Sequence, residues 1–106
     1  PTLDQRLLSE LLNSNRLDRQ ELLALSPFQD PQSFIDVAHK IKGAARIVQA
    51  GRLIDSCEAL ENACHKVFHP DEVVKRTKAM ERAMLELEQA LQQQIGHNDR
   101  SRMMEP

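Results

Sequence analysis

Apolar side chains that recur four and three residues apart leave a chain few folds to choose from. Phe34, Ala38, Ile41, Ala45 and Val48 keep that rhythm, and Leu53, Cys57, Leu60, Cys64 and Val67 repeat it. Val73, Thr77, Met80, Met84, Leu87 and Leu91 make a third run. Each run lays one narrow apolar stripe along a helix, and such stripes are buried by packing helices side by side. The ends are marked as clearly. Asp30 can cap a helix whose first position is Pro31, where the missing N–H costs nothing. Gly51 follows Ala50 as a C-terminal stop. Pro70, Asp71 and Glu72 open the last helix with negative charge against its positive dipole end, and Gly96 is placed at its end.

The N-terminal third is less regular. Thr2 and Gln5 have the form of a capping box, and Leu3, Leu7, Leu8, Leu11 and Leu12 fall on one helical face. Asn13, Ser14 and Asn15 read as a break. A second short helix is expected over 16–25, carrying Leu17, Leu22, Leu23 and Leu25 and ending before Ser26-Pro27. Short connections force neighbouring helices to run antiparallel. The expected fold is therefore all-α, an antiparallel up-and-down four-helix bundle with an additional N-terminal helix packed across it as a lid. Residues 1–96 would form this domain. Residues 97–106 are polar and aperiodic and are expected to be a disordered tail. A chain that opens on Pro rather than Met is expected to be a piece of a larger protein.

Composition removes several function classes. Lys and Arg number 14 against 16 Asp and Glu, a net charge of −2, so the basic excess that neutralises nucleic-acid phosphates is missing. With no Trp or Tyr and three Phe, there is no platform for stacking bases. No apolar run reaches the length of a membrane span. Cys57 and Cys64 are separated by about 10 Å of helical rise, too far to bridge, and read as buried thiols of a reducing cytoplasm. His65 and His69, with Glu61 and Cys64 nearby, do not make a metal site, because zinc needs four convergent ligands and Cys64 belongs to the apolar seam. Met80 and Met84 read as core. Lys75, Arg76, Lys78 and Arg82 are offset by Glu72, Glu81, Glu86 and Glu88 and read as a solvated face.

One stripe does not suit a plain surface. His39, Lys42, Gly43 and Arg46 stand at i, i+3, i+4 and i+7 on the helix that Pro31 opens, away from its seam. The stripe holds three side chains that can be cationic and no acid, with the apolar Ile35 one turn before the histidine. Gly43 costs about 1 kcal/mol relative to Ala in mid-helix, which suggests a close approach to the backbone. As chemistry, the four make a phosphoryl acceptor. A neutral imidazole offers a nucleophilic nitrogen, and the Lys and Arg can stabilise a transferring phosphoryl group. The plainer alternative is a solvated His with basic neighbours and a Gly that serves a helix–helix contact. Both stand on the residues alone.

The segment Ala38-His39-Lys40-Ile41-Lys42-Gly43-Ala44-Ala45-Arg46 resembles the H-x-x-K-G signature of histidine-containing phosphotransfer (HPt) domains. The likeness continues through Leu53, Cys57 and Leu60-Glu61 and covers about residues 3 to 95. It is similar to the module at the C-terminus of bacterial tripartite hybrid sensor kinases. The resemblance implies that His39 takes a phosphoryl group from a receiver-domain phospho-aspartate and passes it to a response-regulator aspartate. Lys42 would be the phosphate-side cation, with Arg46 beside it by spacing and charge. Gly43 would give clearance, and Ile35 would join Gly43 in the docking surface. It implies a carrier without kinase activity of its own, a magnesium ion supplied by the receiver, and a monomer in the cytoplasmic part of an inner-membrane sensor kinase.

Two positions depart from the family pattern. Gln49 stands where many members have Gly, and Glu61 stands where a Gln often hydrogen-bonds the acceptor histidine. Glu61 is accordingly a possible orienter of His39. Two rivals are a helical adaptor that binds receivers without accepting phosphate and the dimerising histidine domain of a kinase core. The second usually has an acid directly after its histidine, where this chain has Lys40.

Overall fold

A computed structural model describes residues 4–28, 30–65 and 69–104, with the backbone alone for 97–104. Its regular structure among these residues is four helices: α1 (Gln5–Ala24), α2 (Pro31–Ile47), α3 (Gly51–His65) and α4 (Pro70–Met104). They close a ring in which α1 packs on α2 and α4, and α3 packs on the same two from the other side. The all-α four-helix bundle expected from the seams is the fold. No helix among the described residues is long and apolar enough to cross a membrane.

Most seam positions are buried, whereas Val48, Thr77 and Leu87 are only half-buried. Phe34, Ala38, Ile41 and Ala45 of α2, Leu53, Cys57, Leu60 and Cys64 of α3, and Val73, Met80 and Met84 of α4 form one core with Leu22 of α1. Val67 lies outside the described residues. Burial pushes the Cys57 thiol up to about 12, with the Glu61 carboxylate adding to the shift, and burial raises Cys64 as well. A thiol held as far above neutrality as that of Cys57 is an inert core group.

The helix ends follow from local chemistry. The Asp30 carboxylate accepts from the backbone N–H groups of Gln32 (3.0 Å) and Ser33 (3.3 Å) and from Ser33 Oγ (2.6 Å), and these bonds hold it below its ordinary range. At the other end of α2 the expected glycine stop is displaced. Gln49, not Gly51, takes the left-handed conformation, with φ 56°, and Gly51 is the first residue of α3. The Ala50 N–H donates to the Ala45 carbonyl (2.9 Å) and the Gln49 N–H to that of Arg46 (3.2 Å). These two bonds make a Schellman motif with Gln49 at the left-handed position.

The N-terminal third corrects the expectation. Residues 5–24 are one helix with no break at Asn13–Asn15, so the lid helix and the fourth wall are the same element. Its N-cap is Asp4, whose carboxylate accepts from the Leu7 N–H at 2.8 Å. Thr2 and Leu3 lie outside the described residues. The buried stripe of α1 is Leu8, Leu12, Asn15, Asp18 and Leu22, a seam with two polar members, and Leu17 stands 65% exposed. Asn15 donates to the Met84 carbonyl (3.0 Å) and to Glu88 (3.3 Å). Glu88, itself buried, also accepts from Arg19 at 2.7 and 3.2 Å and lies 3.5 Å from Arg16. A residue that prefers turns in isolation is kept in the helix here because its amide has partners across the interface. Beyond this polar layer Leu8, Leu12 and Leu91 form a second small core with Leu11, Leu87 and Ile95. The N-terminal part of α1 thus runs along α4, which continues through Gly96 to Met104.

Two stability outcomes follow. Gln49→Gly relieves the left-handed strain and is expected to raise stability by about 0.5–1 kcal/mol, read as a higher midpoint in urea. Asn15→Ala leaves the buried Glu88 and the Met84 carbonyl short of a donor and is expected to lower it by about 1–3 kcal/mol.

Candidate functional site

The central turns of α2 carry two unlike faces one residue apart. Ala38 is fully buried in the core, which fixes the backbone, while the neighbouring His39 is exposed. No hydrogen bond or ion pair among the described residues ties the His39 ring, and the residue is exposed on the outer side of the helix. Gly43, one turn on, is exposed, and a Cβ built there meets nothing within 4 Å. That removes the helix–helix contact as a reason for the glycine, since no neighbouring element comes near enough to need the space. Arg46 is exposed in the last turn of α2, and Ile35 is half-buried against the edge of the core.

Lys42 does not share that openness. Its side chain is 11% exposed and turns toward α3, where Nζ lies 3.1 Å from each oxygen of Glu61. Oε2 meets the geometry of a hydrogen bond, whereas Oε1 is buried without one. Glu61 thus pairs with Lys42, and no hydrogen bond or ion pair joins it to His39 among the described residues. The structure brings His39, Gly43 and Arg46 to one open face and places Lys42 at its buried edge. The pairing has a signal in the sequence. Lys42 and Glu61 each follow a central seam residue, Ile41 and Leu60, by one position. Opposite charges on such flanking positions meet when the seams interdigitate.

The other neighbour of the histidine is tied to α1. Lys40 donates to Glu21 (2.5 Å) and lies 3.4 Å from Asp18, and the Glu21 bond raises its pKa. No group of three or more His, Cys, Asp or Glu side chains able to hold a metal occurs among the described residues.

An exposed imidazole with no hydrogen bond or ion pair among the described residues thus stands beside an open stretch of backbone on one helix of the bundle. Residues 6–97 match the Hpt domain family. The chain belongs to that family. It is accordingly a phosphotransfer module of a two-component phosphorelay. Among curated proteins it is 35% identical over 85 residues to the virulence sensor protein BvgS of Bordetella bronchiseptica, covering 77% of this chain and 7% of that protein. It is 33% identical over 99 residues to BvgS of Bordetella pertussis, covering 90% of this chain and 8% of the relative. The chain therefore spans less than a tenth of the length of these relatives. No solved structure gives a significant match.

The Hpt chain keeps a glycine that its own packing does not require. Gly43→Ala is expected to stabilise the fold by about 1 kcal/mol, measured by thermal or urea unfolding, because the added methyl meets no neighbour.

Proposed function

We propose that His39 is the phosphoryl acceptor of this domain. The observation that supports it is the exposed ring, without a partner among the described residues, one turn from a backbone patch open to approach. With its proton on Nδ1, the imidazole attacks through the Nε2 lone pair on the phosphorus of a receiver's aspartyl phosphate. The N–P bond forms as the P–O bond to the aspartate breaks, and the carboxylate leaves with the electron pair. The ring then carries one positive charge, shared between Nδ1–H and Nε2–P. Transfer to a second receiver runs the same step in reverse.

His39, Gly43 and Arg46 stand exposed on this face. The receiver is proposed to supply the acidic residues and a magnesium ion, while Arg46, and Lys42 once released, stabilise charge on the equatorial oxygens. Gly43 and Ile35 lie where the receiver must sit. The partners so assigned are a receiver domain of the parent sensor kinase and a cognate response regulator, both in the cytoplasm, with the isolated domain a monomer.

The test is intact-mass spectrometry at neutral pH after mixing the domain with a phosphorylated receiver and magnesium. A gain of one phosphoryl group that is lost in acid and absent from His39→Gln is expected, with the helical CD spectrum of the variant unchanged. Gly43→Arg is expected to fold and to slow transfer at least tenfold, since the bulk stands in the docking path. No mass gain with several receivers would replace this reading with that of an adaptor that binds receivers without accepting phosphate.

A further inference from the structure

Among the described residues, Lys42 is the cation of the His39 stripe that has an ion-pair partner. It stands one helical turn from His39, near enough in spacing to serve a phosphoryl group on that ring, yet its Nζ is held 3.1 Å from both oxygens of a carboxylate on the facing helix. A phosphoryl group brings nearly two negative charges. Placed on His39, it would have to share a single lysine with Glu61, and the Lys42–Glu61 pair is shielded enough from water for that competition to count. The pair is also incompletely satisfied. Glu61 Oε1 is buried with no hydrogen bond, so the contact is weaker than a fully bonded ion pair and easier to exchange.

We propose that Glu61 is a positioning residue that competes with the phosphoryl group on His39 for Lys42, and thereby sets how firmly this domain retains phosphate. The inference rests on His39 being the acceptor. While His39 is bare, Glu61 keeps the cation folded against α3. When His39 is phosphorylated, the lysine must divide itself between two anions, and the phosphohistidine holds its group less tightly than a free lysine would allow. The competition favours handing the group on.

The experiment uses the receiver that phosphorylates the unaltered protein in the preceding test and reads the equilibrium ratio of phosphohistidine to phospho-aspartate by intact mass. Glu61→Gln keeps an acceptor for the lysine without the charge and is expected to shift the ratio toward the domain by about threefold to tenfold. Glu61→Ala is expected to shift it in the same direction and guards against a fault peculiar to the amide. In a Lys42→Met background the shift caused by Glu61→Gln should shrink to less than twofold, because the contested cation is gone. The ratio is measured under conditions where each variant is shown to be folded by CD.

Unchanged ratios in both Glu61 variants overturn the inference while leaving the acceptor role intact. A full shift that persists without Lys42 overturns it too, since Glu61 would then act on the phosphoryl group directly. Absence of any phosphoryl gain on His39 in the unaltered protein overturns the acceptor reading itself, and this inference with it.

Discussion

The close packing of α2 into the bundle is the constraint on which the rest depends. Two alanines, Ala38 and Ala45, alternate with Phe34 and Ile41 along its buried stripe, and Ala38 and Ala45 have no exposed surface at all. Small side chains let the neighbouring helices come near, so the backbone carrying His39 is fixed by contacts one residue away. The ring itself has no hydrogen bond or ion pair among the described residues. A fixed main chain and an exposed side chain, the proposed acceptor, are thus obtained from adjacent positions of a single helix.

The bundle is held in register by two kinds of contact. Apolar seams supply most of the burial, but seams of Leu, Val and Met alone tolerate sliding and alternative packings. Polar contacts between helices narrow the choice. Glu88 gathers Asn15, Arg16 and Arg19 between α1 and α4, Lys40 joins Asp18 and Glu21 between α2 and α1, and Lys42 meets Glu61 between α2 and α3. Only the last of these lies at the edge of the reactive face. The same type of contact therefore aligns helices in one place and, on the proposed reading, restrains a functional cation in another.

The sequence was most informative where a seam is uninterrupted. The apolar stripes of α2, α3 and α4 and the Asp30-Pro31 start could be read because each rests on spacing and local capping. The position of His39 on the outer face followed from the same spacing. The reading failed where tertiary partners outweighed local preference. Asn13–Asn15 signals a turn in isolation, but Asn15 finds a carbonyl and a carboxylate on a helix about seventy residues later in the chain, and no local rule can see that. Gln49 accepts the left-handed conformation that glycine would take more cheaply, because the Schellman bonds on either side hold it there. The sequence offers Glu61 as a possible orienter of His39, and the ion pair it makes is with Lys42. Whether it met His39 or Lys42 depended on the rotation of α3 about its axis, which is set by this turn and by the interlocking of the two seams.

With His39 as the proposed acceptor, its place on the outward curve of one helix would also govern traffic. A pocket with two mouths could admit a donor and an acceptor together, but one ring beside one cleared patch would serve one receiver at a time. Donor and recipient would then take turns on the same ground, and an excess of either would delay the other. Throughput would depend on how soon each visitor departs as much as on how quickly the phosphorus changes hands.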